Sequence, residues 1–495
     1  MEQTTVQPRV EPQAPTQVNA LDVLNIRALP LLLTVMTIAL GLIYLAVIPP
    51  WAGPDEPRHF EYVALLNLKG RLVGWGDANP QVMNDIIRSM DSVNYWKWGV
   101  SIWKRTTPGE LPKDFAAIWG ESSSHELHQP PLSYLVYLIP YKLFASGDVR
   151  VQLYALRLLS ILLNVLVVLA AYVTGRELFR DDPTMALALP VFVMLLPQHL
   201  FLHSTVMNDH LVEAALAGMI ALLTRTFRLG LNLPRALGML VLLGIGLGAK
   251  RSAVYGIAIL AFAFLVYVVV RWGGGRLTAT QKSLRLAGTV IVLSLAAVGL
   301  VYAWNWLGAN QKSLQTYIVR IFLFLPSEQF PFQLDSRVIE PTAFPLYASY
   351  LKYTFISLWG HFGWMNISLG AQAYWGFALL TLAALVGVAL YALRDFPTLL
   401  GWQRGALVVF AASVLIALFL IIALQVRVWD LGWGGDPQGR YLFPVLIPLA
   451  TLFLLGLRAF FPKARYTLWL TLVIAAMVIY NIAALGFFII PFYRA

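Results

Sequence analysis

Residues 28–49 read ALPLLLTVMTIALGLIYLAVIP, and residues 50–62 read PWAGPDEPRHFEY. The first stretch is 22 residues without a charge, the length an α-helix needs to cross about 30 Å of hydrocarbon. The second is packed with prolines, acids and aromatics. An apolar span that ends abruptly in a rigid, charged turn predicts a first transmembrane helix followed by a structured surface loop. The span is too long for a signal-peptide core and lacks a small-residue cleavage site, so it is expected to remain in the protein.

The same apolar composition runs on to the other end of the chain. Of 495 residues, 59% are hydrophobic and only 12% charged, with a mean hydropathy of +0.69. Soluble domains carry about 25% charged residues, so a water-soluble enzyme and a disordered protein are both excluded. Further spans are expected near 153–175, 184–203, 208–226, 236–249, 252–271, 286–306, 373–394, 405–426, 440–459 and 466–489. The fold class is all-α, a polytopic transmembrane bundle of about 11–12 spans with large outer loops. The absence of cysteine excludes disulfides, thiolate metal sites and cysteine nucleophiles. A net charge of +11 raises nucleic acid as a partner, but the basic residues cluster at span ends. That placement speaks for membrane orientation and against a nucleic-acid partner.

Orientation follows from those charges. Connections assigned to the cytoplasm hold fourteen basic residues: Arg176, Arg180, Arg225, Arg228, Arg235, Arg271, Arg276, Lys282, Arg285, Arg394, Arg404, Arg458, Lys463 and Arg465. The opposite short connections hold five, namely Arg150, Lys250, Arg251, Arg427 and Arg440. The positive-inside rule then puts the N-terminus in the cytoplasm and Ala495 outside. Residues 1–27, rich in Pro, Gln and Thr, are expected to be a disordered cytoplasmic tail. Pro131–Phe144 is apolar but short, and the charge bias makes it a helix at the outer interface rather than a twelfth span. The expected division is therefore 1–27 tail, 28–306 transmembrane module with outer loop 50–130, 307–372 second long outer loop, and 373–495 C-terminal spans.

Connections as long as 50–130 and 307–372 are usually functional. The first holds ten of the 25 acidic residues and Trp51, Trp75, Trp96, Trp98, Trp103 and Trp119. Tryptophans there either anchor a loop in the headgroup layer or stack on a ligand. Three prolines from Pro50 to Pro57 fix where Asp55 and Glu56 point, which suits a general base or a cation site as well as a plain solvated turn. Asp209 lies beyond the 184–203 span, and Glu213 is one helical turn further on, on the same helix face. Glu213 falls within an apolar run, where a carboxylate is costly. Lys250, Arg251 and Arg440 stand on the side where the charge trend removes cations. Such positions suit an anion, and lipid phosphate is the anion always present at that depth. His128, before Gln129-Pro130-Pro131-Leu132, adds a polar contact. A Walker-type phosphate loop, a His-Glu-x-x-His helix and a Gly-x-Ser-x-Gly elbow are all missing from the sequence.

With these residues placed, the pattern resembles the GT-C superfamily of integral-membrane glycosyltransferases. Those enzymes carry an Asp in the first outer loop, an acidic motif in the next, a cation for the lipid-linked phosphate, and a long outer loop after helix seven. Asp55-Glu56, Asp209, Lys250/Arg251 and 307–372 match in order. Pro130-Pro131-Leu132 with Ala155-Leu156-Arg157-Leu158 resembles the protein-mannosyltransferase and aminoarabinose-transferase branch. The chain is most similar to a bacterial family of predicted membrane proteins. It shares Pro54-Asp55-Glu56-Pro57-x-His59-Phe60, Trp359-Gly360-His361-Phe362-Gly363-Trp364 and Gly439-Arg440-Tyr441-Leu442-x-Pro444, spread from about 38 to 455.

The resemblance implies a glycosyltransferase of the cytoplasmic membrane, working on its outer face with a polyprenyl-phosphate-linked sugar. The acceptor would be a glycan, lipid or protein hydroxyl. Asp55 and Glu56 would be catalytic. His59, His128, Asp209, Glu213, Lys250, Arg251, Trp364, Arg440 and Tyr441 would bind substrate. Two departures bear on this. Gln129 stands where the aminoarabinose branch has Lys, which moves phosphate contact to Lys250, Arg251 or Arg440. No Asp-x-Asp motif occurs, which leaves a divalent cation as an option without a ligand set. A transporter or flippase for lipid-linked sugars is the rival from another class, and a polysaccharide polymerase or ligase the rival within it.

Overall fold

The computed structural model describes residues 28–74, 76–98, 124–127, 129–144, 147–273, 344–430 and 437–494. The N-terminal tail, His128, the seventh expected span at 286–306 and the first part of the second long loop lie outside them.

The protein is an α-helical bundle. Its longer helices are α1 (Leu29–Val47), α2 (Glu56–Lys69), α3 (Pro80–Ser92), α4 (Leu132–Leu143), α5 (Val149–Leu178), α6 (Pro183–Leu195), α7 (Pro197–His203) and α8 (Asp209–Leu229). They continue with α9 (Leu233–Ala249), α10 (Tyr255–Gly273), α11 (Phe344–Trp359), α12 (Ala371–Arg394), α13 (Gly401–Asp430), α14 (Leu446–Arg458) and α15 (Tyr466–Ala483). Eight helices among the described residues are long and apolar enough to cross a membrane, and nine segments if the bent pair α6–α7 is one span. With the shorter apolar α9, they account for every expected span but 286–306. The segment read as interfacial, α4, has 12 residues; it rises about 18 Å and is too short for the hydrocarbon layer.

Close backbone approach sets the bundle. A Cβ on Gly41 of α1 would meet Ile161 of α5 at 2.7 Å, and one on Gly387 of α12 would lie 1.9 Å from the Gly456 carbonyl of α14. With little hydrophobic drive between helices in lipid, such small-residue crossings let backbones touch. Where polar groups cross helices they are paired: Tyr44 of α1 donates to Asn481 of α15 at 2.9 Å. Between α6 and α7 the chain bends by 54°. Pro197 causes it, because the residue before a proline is pushed out of the helical region, and Leu196 is extended with ψ 112°.

A second layer stands on one end of the bundle. There α2, α3 and α4 share a core of Trp51, Phe60, Tyr62, Ile86, Met90 and Tyr134. Trp51 is fully buried, edge-on to Phe60 with ring centroids 5.2 Å apart, and donates to Ser89 Oγ at 3.1 Å. Trp96 is buried too. These two tryptophans therefore serve neither of the roles expected of them; they build a core for a loop too large to hold its shape otherwise. Trp103 and Trp119 lie outside the described residues, as does Trp75.

The described part of the second loop is α11 followed by a two-stranded hairpin, β1 (His361–Phe362) and β2 (Ile367–Ser368), paired antiparallel as His361 with Ser368 and Phe362 with Ile367. Gly363 at φ 63° and Met365 at φ 59° make the tight turn.

Candidate active site

The charged turn after α1 is positioned from below by one buried ion pair. Glu56 Oε1 accepts from Arg157 Nε at 2.8 Å and from the Val206 amide at 3.0 Å. Its Oε2 accepts from Arg157 Nη2 at 2.7 Å and from the Gly53 amide at 3.2 Å. Arg157 also donates to the carbonyls of Ile48 and Pro49, at 2.8 and 2.7 Å. Both side chains are wholly buried. This one pair ties the end of α1, the start of α2, the middle of α5 and the turn before α8. Sequence reasoning made Glu56 a catalytic partner of Asp55; the structure instead gives it four donors and no exposure, so it has no lone pair to offer an acceptor.

Held by its neighbour, Asp55 adopts φ 57°, in the left-handed region that few non-glycine residues enter. Strain of this kind, about 1–3 kcal/mol, survives only where the surroundings over-determine it. The effect is to turn the carboxylate, a quarter exposed, toward two guanidinium groups. Arg440 Nη2 lies 3.4 Å from Oδ2, and Arg58 Nη1 lies 4.0 Å from Oδ1.

Arg440 begins a 3₁₀ turn (Gly439–Val445) that leads into α14. The turn is pressed against α11 so closely that a Cβ at Gly439 would lie 2.2 Å from the Leu358 nitrogen, and the Gly439 amide donates to Ser357 Oγ at 2.7 Å. Next to it, the Tyr441 ring lies 5.4 Å from the Arg440 guanidinium and 5.4 Å from Lys250 Nζ. Lys250, at the end of α9, donates to both oxygens of Asp209 at 2.7 Å. Five elements thus bring Arg58, Asp55, Arg440, Tyr441, Lys250 and Asp209 into one chain of contacts. It holds three cations against two carboxylates, a balance that favours one further negative charge. Arg440 is the most enclosed of the three cations, with 7% of its side chain exposed, and enclosed charges act over longer range than solvated ones.

Beside this chain, His59 Nδ1 lies 3.0 Å from the Tyr134 hydroxyl, which donates to Glu126 Oε2 at 3.2 Å. The tyrosine has one proton and gives it to the carboxylate, so His59 donates from Nδ1 and keeps its lone pair on Nε2. Burial pushes the His59 pKa below its ordinary value, against the opposing pull of Glu126 and Asp55. Arg251 follows Lys250 in a short 3₁₀ turn, Arg251–Val254. Trp364 is at the tip of the β1–β2 hairpin, against the core of the second layer.

Glu213 does not join Asp209. Although both lie on one face of α8, Asp209 takes Lys250, whereas Glu213 is bonded to His199 and His203 of α7. Those two histidines, with Arg58, Arg157 and Tyr134, were missed in the sequence. The signal for the histidines was present: His199 and His203 are four apart in an otherwise apolar segment. Among the described residues, the group with metal-type donors is His199, His203 and Glu213; Asp55 and Asp209 each hold a cationic side chain instead.

A polytopic helical bundle with a second aromatic-cored layer, and a chain of fixed cations and carboxylates between them, defines an integral membrane protein with a built polar site. The chain belongs to the family described as predicted membrane protein (DUF2142), which matches residues 38–450. No curated protein matches it. Among solved structures it is similar to the apo oligosaccharyltransferase of Archaeoglobus fulgidus, at 15% identity and a TM-score of 0.49, over 93% of this chain and 56% of that one. It is also similar to the same enzyme, AglB, in complex with an inhibitory peptide and a dolichol-phosphate, at 16% identity and a TM-score of 0.47, over 92% and 55%. A third structure of that enzyme, with zinc and sulfate, gives 13% identity and 0.40 over 94% and 52%. This chain spans about half the length of each.

Proposed function

We propose that the protein is a GT-C-type membrane glycosyltransferase that takes a sugar from a polyprenyl phosphate and passes it to an acceptor hydroxyl on the outer face of the cell membrane. The observation that carries this is the contact chain from Asp55 through Arg440 and Tyr441 to Lys250 and Asp209. A phosphate leaving group needs fixed cations where its charge develops, and Arg440 and Lys250 flank one aromatic ring at equal distance. Bond-making needs a base at the acceptor, and Asp55 is the carboxylate of the cluster most open to solvent. Attack by an acceptor that Asp55 deprotonates, with phosphate departing toward Arg440 and Lys250, is a single displacement and inverts the anomeric carbon. Asp209 keeps Lys250 in place, and Glu56 shapes the turn without entering the chemistry. His59, which carries the influence of Asp55, Asp209 and Lys250, and Trp364 would supply further contacts to the sugar and acceptor.

The test uses the purified chain in nanodiscs, which have no second compartment. A radiolabelled sugar on a short polyprenyl phosphate should be consumed and appear on an acceptor extracted from the native membrane, with the label lost in Asp55→Asn. A transporter of lipid-linked sugars would leave the donor intact there, and an intact donor with every acceptor fraction would end the glycosyltransferase reading.

A further inference from the structure

Beneath the contact chain, α7 and α8 converge on a second polar group that the proposed chemistry does not use. His199 and His203 lie one turn apart on α7, and Glu213 faces them from α8; all three are at most 2% exposed. One oxygen of Glu213 meets His199 Nε2, and the other lies 2.9 Å from His203 Nε2. The donor atoms all lie within 4.8 Å of one another.

The protons of this group can be counted. His203 Nδ1 lies 3.1 Å from the backbone carbonyl of Ser160. A carbonyl only accepts, so Nδ1 carries a hydrogen, and neutral His203 presents a lone pair from Nε2 to an ionised carboxylate. Two lone pairs at that distance repel unless a positive charge lies between them. Either His203 takes a second proton, or a metal ion takes the place of that proton. An imidazole whose other nitrogen donates to a carbonyl is what a metal-binding histidine ordinarily requires. His199 Nδ1 has no partner among the described residues, so this ring lacks the carbonyl contact that orients His203, and its Nε2 is placed by the helix alone.

We propose that His199, His203 and Glu213 form a binding site for one divalent transition-metal ion of the zinc type. Two histidines and a glutamate are a ligand set zinc accepts, with a fourth position left for another group. His203 Nε2, His199 Nε2 and one or both Glu213 oxygens would be the ligands. The ion would bridge α7 to α8 at the bend behind Leu196-Pro197. It would also neutralise a carboxylate buried within the bundle, which is otherwise expensive. His210 stacks on His203 at 4.2 Å between ring centroids, and Asp209 is its neighbour in sequence, so the ion would fix the first turn of α8 from which Asp209 reaches Lys250. The site is separate from the phosphate site proposed above and does not depend on the reaction assigned there.

The experiment is metal analysis of the full chain purified through a tag without histidine, as isolated and after incubation with Zn²⁺ followed by desalting. About one equivalent per chain is expected, and Co²⁺ added to the chelator-stripped protein should give visible absorption of low-symmetry four- or five-coordinate cobalt. Both signals should disappear in Glu213→Gln and in His199→Gln, with Asp209→Asn retaining them. Chelation should lower the unfolding temperature of the parent protein and leave Glu213→Gln unchanged. A parent chain that stays metal-free after zinc incubation overturns the proposal without recourse to any variant. So does metal that is lost in Asp209→Asn but kept in Glu213→Gln, since that would move the ion to the outer cluster.

Discussion

Arg440 and Asp55 stand 385 positions apart in the chain, and the guanidinium Nη2 of one lies 3.4 Å from the carboxylate of the other. The group that the proposed chemistry needs as a base is thus held against one of the two groups it needs as phosphate ligands. On the proposed reaction, a phosphate arriving between Arg440 and Lys250 would compete for the guanidinium and loosen its hold on Asp55. Base and leaving-group site would then be coupled through one side chain, and the carboxylate would be released toward the acceptor hydroxyl as the sugar phosphate binds.

Donor binding should therefore depend on both cations. Arg440→Ala and Lys250→Ala each remove a charge-assisted hydrogen bond to phosphate, a loss of about 1.5–3 kcal/mol, or roughly 10- to 150-fold in dissociation constant. Arg440→Lys should recover part of it, since charge returns without the planar fork. Titration of a short polyprenyl phosphate into nanodiscs measures this. Unchanged affinity in both alanine variants would reduce these residues to ordinary headgroup contacts.

Arg157→Ala tests the scaffold instead of the chemistry. It leaves the Glu56 carboxyl group buried, with two of its four donors gone and two backbone carbonyls unpaired. Breaking a buried pair from one side costs about 3–5 kcal/mol. The expected outcome is a lower unfolding temperature in detergent and loss of activity with it. A normal unfolding temperature with activity lost would return Glu56 to the chemistry.

His59 gives the site an acid limit. Burial lowers its pKa from the ordinary 6.5, so the folded protein binds that proton less readily than the unfolded chain does. Stability from this residue is complete above pH 6.5 and is lost as the pH falls from there through the folded-state value. Glu126, Asp55 and Asp209 face the ring and oppose the shift, whereas Lys250 reinforces it. Unfolding temperatures measured from pH 7.5 down to pH 5 should fall more steeply for the parent than for His59→Gln. Parallel curves would show that another group sets the limit.

How much of this could be read from the residues depends on how local each signal is. Spans are local: a run such as 28–49 declares itself by length and lack of charge. Lys250 and Arg440 stood out in the sequence because the expected orientation puts them against the charge trend, but their partners Asp209 and Asp55 could not be read there. Glu56 was misread because its partner Arg157 is 101 positions away, and a proline-rich acidic turn looks the same whether its carboxylate is free or buried. Trp51 was misread for a related reason. Aromatics near a span end usually meet headgroups, and only the packing of α2, α3 and α4 shows a core there. Asp209 and Glu213 share a helix face as expected, but the neighbours of that face change within one turn, from Lys250 to His199 and His203.

The orientation can be checked directly because the chain contains no cysteine. Leu231, in the connection between α8 and α9, and Asn84, on α3, are both exposed. Leu231→Cys should be protected from an impermeant thiol reagent in intact cells and labelled after lysis, and Asn84→Cys should be labelled in both. The reverse pattern would invert the bundle and put the Asp55 cluster on the cytoplasmic side.

Asp55→Asn bears on the mechanism most directly. The amide keeps the size of the side chain and can still accept from Arg440, and Asn tolerates the left-handed backbone that Asp55 adopts. What disappears is basicity. Loss of a general base typically costs about 10²–10⁴-fold in rate, so turnover should fall by that factor with the unfolding temperature near that of the parent. Donor affinity should hold or rise, because the competing charge beside Arg440 is gone. Asp209→Asn should behave differently: it releases Lys250 and should alter donor binding more than the chemical step. Single-turnover rates at saturating donor, measured beside equilibrium binding, separate the two effects. An Asp55→Asn protein that turns over at near the parental rate would remove Asp55 as the base and leave Asp209, or the Nε2 lone pair of His59, to take the proton.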